Sequence, residues 1–264
     1  MRLWTLTVCA ALGGCELENT LLFDRAQTDV YTFPDNRVPG VEELDLVTGD
    51  GVRIAAALAP RESPRAVVLL LHGRGGNIDD VWDRVMTLWD RNLAVFAIDY
   101  RGYGRSDGEP SESGLYEDGR TAMRWLEAED AGPVWIWGIS LGTAVASQLA
   151  TEFSAEAVVL DAPFTSMRDM VEQSTPFSLP RDWVIESDWD TLSRIGRCRS
   201  PLVVAHGTED GTVPPEMGER VFNAAPEPKA LVRAEGAGHN TVILDHADEV
   251  LAAVERVLNG GVNP

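Results

Sequence analysis

Continuous apolar runs of four to six residues recur along the chain. They lie at Ala66–Leu71, Leu93–Ile98, Val134–Trp137, Ala157–Leu160 and Leu202–Ala205. Runs of this kind are typical of strands that are buried on both faces of a parallel sheet. Two further apolar-rich segments, Val41–Val47 and Val52–Leu58, flank Gly49-Asp50-Gly51, which predicts a hairpin. With a strand at Ala230–Ala234, the pattern predicts about eight strands.

Segments with a helical pattern separate these strands. They lie at about Asp79–Arg91, Ser113–Glu127, Leu141–Glu152 and Pro215–Ala224, and a last one covers Val242–Leu258. Alternating strands and helices indicate right-handed crossovers and a mostly parallel sheet with helices on both faces. One α/β domain over residues 39–260 accounts for the pattern, because such domains routinely reach about 200–250 residues.

Residues 162–200 form an excursion between two predicted strands. Three prolines and two tryptophans lie within it: Pro163, Pro176, Pro180, Trp183 and Trp189. Ligands bind outside the carboxyl ends of parallel strands, where this excursion begins. We therefore expect a small cap of two or three short helices over a site, with a plain surface connection as the alternative.

The N-terminus has the order of an export signal. One basic residue, Arg2, precedes about a dozen apolar or small residues, and Leu12-Gly13-Gly14-Cys15 resembles a bacterial lipobox. The apolar stretch is shorter than the roughly 20 residues that span a bilayer. These features predict a signal peptide at 1–14, lipidation of Cys15, a tether at 15–38 and a lipid anchor in the bacterial cell envelope. A buried N-terminal strand or helix is the alternative.

Charge excludes two classes of partner. The chain has 22 basic and 42 acidic residues, which gives a formal net charge of −20, and it contains no Lys/Arg-rich run. Such a surface repels phosphate backbones and anionic lipid, so we expect no nucleic-acid binding and no electrostatic adhesion to membranes. Membrane contact is expected through the lipid anchor alone. No cluster of residues has metal-ligand spacing, so we expect no metal or organic cofactor.

The pattern Gly-x-Ser-x-Gly occurs twice, around Ser106 and around Ser140. A nucleophile elbow needs a strand before the serine and a helix after it. Ser140 has both, whereas Ser106 is followed by Gly108-Glu109-Pro110, which cannot begin a helix at the serine. We therefore predict Ser140 as the nucleophile and interpret Ser106 as a loop residue.

A serine nucleophile needs a base and an acid. In an architecture of alternating strands and helices, the acid follows the serine along the chain and the histidine follows the acid. His239 lies in a glycine-rich loop before the last helix and is the predicted base; His246 falls inside that helix. His72 and His206 precede glycines at strand ends, where we expect them to shape turns. Asp210 is the preferred acid, and Asp161 and Glu209 remain alternatives.

Backbone amides are the expected oxyanion donors. One belongs to Leu141, at the start of a helix whose dipole favours negative charge. The second is expected from the loop His72-Gly73-Arg74-Gly75-Gly76-Asn77, with Arg74 preferred over Gly75. The Arg74 side chain would emerge beside the site, where it meets either solvent or an anionic head group.

Several motifs in order resemble a known family. They are Leu71-His72-Gly73 with Gly76-Asn77, Asp99-Tyr100-Arg101-Gly102-Tyr103-Gly104, Ser111–Asp118, Gly138-Ile139-Ser140-Leu141-Gly142, His206-Gly207 with Asp210 and Val213-Pro214, and Gly238-His239-Asn240. Over about Val41–Leu258 the chain is similar to the BEM46-like branch of the α/β-hydrolase superfamily. This branch includes lysophospholipid lipases and protein depalmitoylases, and its members are often described as serine aminopeptidase-like. Arg74 and Ile139 depart from the Asn and Arg expected there.

The resemblance implies an α/β-hydrolase fold and a serine hydrolase acting on an ester or thioester of lipid-like or acyl character. A peptidase or amidase on the same three residues is the alternative within enzymes. A catalytically silent envelope lipoprotein is the alternative outside them.

Overall fold

The computed structural model describes residues 23–25, 27–28, 30–33, 37–174 and 187–260. The predicted signal peptide and Cys15 lie outside these ranges. The strands are β1 (Asp24–Arg25), β2 (Glu42–Val47), β3 (Arg53–Ala59), β4 (Val67–Leu71), β5 (Gly75–Gly76), β6 (Ala94–Ile98), β7 (Val134–Ile139), β8 (Ala157–Asp161), β9 (Leu202–Gly207) and β10 (Lys229–Ala234). The helices are a 3₁₀ turn (Asp79–Val81), α1 (Trp82–Trp89), α2 (Glu112–Ala128), α3 (Leu141–Glu152), α4 (Met167–Ser174), α5 (Thr191–Ile195), α6 (Pro215–Ala224) and α7 (Val242–Leu258).

Eight strands form the main sheet in the order β10-β9-β8-β7-β4-β6-β3-β2. Only β3 runs antiparallel to its two neighbours, β2 and β6, and the other pairs from β6 to β10 are parallel. The prediction of about eight mostly parallel strands is therefore confirmed. The hairpin around Gly49-Asp50-Gly51 is confirmed as β2 and β3.

Burial on both faces of the sheet explains the continuous apolar runs. Along β4, Leu69 and Leu71 belong to one buried cluster, and Val68 and Leu70 belong to the cluster on the opposite face. Helices α2, α3 and α6 cover the first face, and α1 and α7 cover the second. A strand covered on both sides has no polar face, which is why its sequence does not alternate.

The order of the strands fixes where a site can form. From β4 the chain crosses to β6 on one side, and it returns to add β7 on the other side of β4. The carboxyl ends of β4 and β7 therefore flank a topological switch point, which is where open α/β sheets leave a crevice for ligands.

Part of the predicted tether packs on the domain. Phe23, Tyr31 and Val38 are buried hydrophobic residues, and the short strand β1 pairs in parallel with β5. Within the segment 15–38 that the sequence predicts as a tether, these described residues pack on the domain. Among its described residues, the buried Tyr31 and Val38 alternate with exposed ones such as Val30, in line with the mixed composition.

The excursion after β8 contains α4 and α5 within its described parts, and residues 175–186 lie outside them. The number of short helices in the cap therefore stays a prediction. In the described ranges, every helix is too short or too polar to cross a membrane.

Candidate active site

Ser140 lies at a sharp turn between β7 and α3. Its backbone has φ +51° and ψ −115°, a conformation that side-chain-bearing residues adopt only under local strain. A Cβ on Gly138 would lie 2.4 Å from the Gly142 carbonyl oxygen, and one on Gly142 would lie 2.1 Å from the Leu71 carbonyl oxygen. The two flanking glycines are therefore required by backbone crowding, as the elbow pattern predicts.

Ser106 has a different environment from Ser140. Its hydroxyl accepts a hydrogen bond from the Ala55 amide at 2.8 Å and donates one to the Asp99 carbonyl at 2.7 Å. The side chain is buried and both of its bonds join backbone segments. Ser106 thus ties a loop to β3, in agreement with its interpretation as a loop residue.

The structure brings together the three side chains that the motifs single out. The Ser140 Oγ lies 3.0 Å from His239 Nε2, and His239 Nδ1 lies 2.8 Å from Asp210 Oδ2. An ionised carboxylate can only accept hydrogen bonds, so Nδ1 carries the proton and Nε2 is left free to accept one from the serine. This tautomer is the one that a general base next to a hydroxyl requires.

Asp210 is held as an anion by its neighbours. Its Oδ1 accepts the amides of Thr212 at 2.8 Å and Val213 at 2.9 Å. Burial alone would raise the pKa of this carboxyl, but hydrogen bonds from His206, His239 and the Val213 amide outweigh burial and hold the pKa well below its usual range.

His206 has a contact that the sequence did not indicate. Its Nε2 lies 3.2 Å from Asp210 Oδ2 and 3.0 Å from the Val213 carbonyl oxygen, and the ring is buried. The contact with Val213 agrees with the interpretation of His206 as a residue that shapes a turn. The sequence signal for the second contact is the position of His206 near the end of β9, four residues before Asp210.

Asp161 ends β8 beside this group. Its carbonyl oxygen accepts the Ser140 amide at 2.9 Å. Its side chain is buried, and Oδ1 has no hydrogen-bond partner. Burial raises the pKa of the Asp161 carboxyl to about 7, against the opposing charges of Arg84 and the two nearby histidines. The structure therefore pairs His239 with Asp210 and leaves Asp161 apart from that pair.

The loop of residues 72–78 runs past the serine. A Cβ on Gly73 would lie 3.4 Å from the Ser140 Cβ. Arg74 follows with its carbonyl oxygen accepting a hydrogen bond from the Tyr103 hydroxyl at 2.8 Å, and its side chain is exposed. Leu141 begins α3 directly after the serine, and the first amides of a helix have no partner within it. Leu141 thus follows Ser140 directly in the chain, and Arg74 follows Gly73, the loop residue that lies against Ser140.

Arg84 of α1 also reaches this end of the sheet. Its guanidinium donates a hydrogen bond to the Asn240 carbonyl at 3.1 Å, next to His239. Only 12% of its side chain is exposed.

In the described ranges, no three His, Cys, Asp or Glu side chains are grouped as metal ligands would be.

Comparison with known proteins identifies a matching family model and similar proteins. Residues 62–187 match the family model described as serine aminopeptidase, S33. The protein Rv2307c of Mycobacterium tuberculosis (strain ATCC 25618 / H37Rv) is 34% identical over 226 residues, which cover 84% of this chain and 80% of that protein. The lysophosphatidylserine lipase ABHD12 of Danio rerio is 30% identical over 193 residues, 64% of this chain and 50% of that protein.

Solved structures share the fold at low sequence identity. The Pyrococcus furiosus esterase Pf2001 has a TM-score of 0.72 and 18% identity, covering 90% of this chain and 99% of that chain. An α/β hydrolase from Vibrio vulnificus has a TM-score of 0.72 and 22% identity, covering 91% of each chain. At these identities the likeness extends to the fold of the sheet and its helices.

Proposed function

Because this chain belongs to the α/β-hydrolase superfamily, we propose that it is a serine hydrolase that cleaves carboxylic esters or thioesters through an acyl-enzyme on Ser140. The observation that carries the proposal is the hydrogen-bonded series from Ser140 Oγ to His239 Nε2 and from His239 Nδ1 to Asp210 Oδ2. A serine hydroxyl becomes an effective nucleophile when a neutral imidazole accepts its proton and a carboxylate orients that imidazole.

The proposed reaction has two halves. Ser140 Oγ attacks the carbonyl carbon while His239 Nε2 takes the hydroxyl proton, and His239 then returns that proton to the leaving alcohol or thiol. A water molecule gives its proton to His239 and attacks the acyl-enzyme, and collapse of the second intermediate releases the acid and restores Ser140. Asp210 stabilises the imidazolium in both halves.

The amides of Leu141 and Arg74 are the proposed donors to the oxyanion. Leu141 contributes from the N-terminus of α3, where the unpaired amides and the helix dipole both favour negative charge. Arg74 contributes from the loop whose Gly73 lies against Ser140. Donors fixed before the reaction stabilise the charge that develops in the transition state, and removing one typically lowers kcat by about 10²–10³-fold.

A fluorophosphonate probe tests the nucleophile. We expect the wild-type protein to be labelled and Ser140→Ala to be unlabelled. Ser106→Ala is the matched control, because Ser106 lies in the same pattern but bonds only to backbone groups; it should keep its label. Equal labelling of wild type and Ser140→Ala would support the catalytically silent lipoprotein instead.

A substrate panel separates the enzyme classes. Relatives include lipases named for lysophosphatidylserine, whereas the matching family model is named for an aminopeptidase. The panel therefore contains graded acyl esters, acyl thioesters, lysophospholipids and aminoacyl amides. We expect esters or thioesters to give the highest kcat/KM, and a preference for aminoacyl amides would establish the peptidase alternative.

We further propose that Cys15 carries a lipid and anchors the protein in a bacterial cell envelope. The sequence Leu12-Gly13-Gly14-Cys15 after an apolar stretch supports this. Radiolabelled palmitate should be incorporated by the wild-type chain in a bacterial host and not by Cys15→Ser. Equal incorporation by both would refute the anchor without affecting the assignment of Ser140.

A further inference from the structure

We propose that the described residues 23–25, 27–28 and 30–33, the N-terminal strap, hold residues 72–78, the oxyanion loop, in the position that acyl transfer needs, with Tyr31 as the chief positioning residue. The inference rests on the proposed function, because it assigns the strap a role in that same reaction. Three sets of contacts connect the strap to the loop and support the proposal: one is direct backbone pairing, and two pass through Asp99 and Tyr103.

The first contact joins Tyr31 to the end of the oxyanion loop through one carboxyl group. The Tyr31 hydroxyl donates a hydrogen bond to Asp99 Oδ2, and Asp99 Oδ1 accepts the Ile78 amide at 2.8 Å. Asp99 is fully buried. A buried carboxyl without its donors is costly, so the tyrosine hydroxyl and the loop amide are held together by the group they share.

The second contact is backbone pairing in the middle of the loop. Strand β1 of the strap pairs in parallel with β5 of the loop, and Asp24 lies opposite Gly75 and Arg25 opposite Gly76. Gly75 follows Arg74, whose amide is the proposed oxyanion donor. The pairing therefore fixes the chain one residue away from that donor.

The third contact is made by aromatic rings behind Arg74. The Tyr103 hydroxyl bonds the Arg74 carbonyl, and the Tyr103 ring lies edge-on to Phe23, with ring centroids 6.5 Å apart. Phe23 also lies edge-on to Trp189, which precedes α5, at 6.1 Å. Phe23 is buried, so removing its ring would leave Tyr103 without packing on that side.

Asp79 fixes the other end of the strap. Its carboxylate accepts the amides of Thr32 at 2.7 Å and Phe33 at 2.9 Å. The Phe33 ring lies 4.5 Å from the Trp82 ring at the start of α1. The strap is thus also tied to the first turn of helix that follows the oxyanion loop.

The oxyanion loop needs such support because it contains three glycines, Gly73, Gly75 and Gly76. Glycine leaves the backbone many accessible conformations. Misplacing a catalytic group by 1 Å can lower a rate by about 10²-fold. Oxyanion donors act on the transition state more than on bound substrate, so loosening the loop should lower kcat and leave KM nearly unchanged.

Tyr31→Phe tests the strap in the full-length protein, because it removes one hydroxyl and keeps the ring. We expect kcat for a short acyl ester to fall about tenfold with KM within about twofold, and the amides of residues 74–78 to exchange hydrogen faster. Val30→Ala is the control on the same segment, since Val30 is 67% exposed, and it should match wild type in both measurements.

Unchanged kcat and unchanged exchange in Tyr31→Phe would overturn the proposal. The proposal would also be overturned if Tyr31→Phe had a lower melting temperature but an unchanged kcat, calculated per fluorophosphonate-labelled molecule. A purely structural role of Tyr31 gives that result. Should Tyr31→Phe not fold, Phe23→Leu decides by the same two measurements. Absence of ester hydrolysis by the wild type would refute the proposed function, and hydrogen exchange would then decide on the strap by itself.

Discussion

Asp161 ends β8 and Asp210 follows the neighbouring strand β9, yet their carboxyl groups have opposite surroundings. Hydrogen bonds to Asp210 from His206, from His239 and from the Val213 amide outweigh the effect of burial and hold the pKa of this carboxyl well below its usual range. Asp161 is buried with one oxygen unpartnered, and burial raises its pKa to about 7. An orienting acid must stay ionised at neutral pH, so the surroundings favour Asp210.

Substitution of each acid by its amide tests this assignment. Asp210→Asn should lower kcat by about 10³–10⁴-fold, because an amide does not enforce the tautomer or stabilise imidazolium. Asp161→Asn should change kcat by less than about tenfold. Steady-state hydrolysis of a chromogenic ester measures both, and the reverse order of effects would transfer the role to Asp161.

The raised pKa of Asp161 also predicts a pH-dependent stability. The Asp161 carboxyl titrates at about pH 4 in the unfolded chain and at about pH 7 in the folded protein. Between these two values the folded protein keeps a proton on Asp161 that the unfolded chain has lost. The contribution of Asp161 to folding is therefore present below that window and is lost as the pH rises through it. Asp161→Asn cannot ionise, so its melting temperature relative to wild type should rise by a few degrees from pH 5 to pH 8. A difference that is constant over that range would contradict the shift.

At the level of elements, the loop after β9 depends on the close approach of α6. A Cβ on Gly218 would lie 2.3 Å from His206 Nδ1. The His206 ring contacts Asp210 with its other nitrogen. Helix α6 therefore supports Asp210 through His206, whose ring fits only because position 218 has no side chain.

Gly218→Ala should displace the His206 ring, lower stability by about 1–3 kcal/mol and lower kcat. Urea unfolding and ester hydrolysis measure the two effects. Gly211→Ala is the matched control in the same region, since a Cβ there meets no atom within 4 Å. If Gly218→Ala behaved like the control, His206 would have no part in holding Asp210.

The same elements explain what the sequence could and could not predict. The strands and the serine elbow were predictable, because double-sided burial and the crowding around Gly138 and Gly142 leave local patterns. The packing of Tyr31 on Asp99 was not, since it joins positions 68 residues apart and its segment has no period. The contact of His206 with Asp210 was missed for a similar reason, because a turn-forming histidine and a supporting one look alike in sequence.

For the whole molecule, the net charge of −20 sets a long-range field around the site. Negative potential lowers the local concentration of anionic substrates, and added salt screens it within a Debye length of about 8 Å at physiological ionic strength. Arg74 is an exposed cation at the proposed oxyanion loop, so its local field opposes that of the whole surface.

Salt dependence tells which field dominates. We expect kcat/KM for a negatively charged half-ester to rise about two- to tenfold when salt is raised from 20 to 300 mM, and kcat/KM for a neutral ester to stay constant. Initial rates of the two esters across a salt series measure this. A decrease for the charged ester would mean that attraction by Arg74 outweighs the acidic surface, and Arg74→Gln should then abolish the decrease.

If Cys15 carries the proposed lipid, the burial of Phe23 limits how far the domain can lie from a membrane. Phe23 follows Cys15 by eight residues, and eight extended residues span at most about 28 Å. With the proposed lipid on Cys15, Phe23 would stay within that distance of the bilayer surface, on the side of the domain that carries the oxyanion loop. The domain would then stay in a thin water layer next to the bilayer, where the number of lipid esters within reach depends on the membrane area. Short linkers give tethered groups an effective concentration of about millimolar.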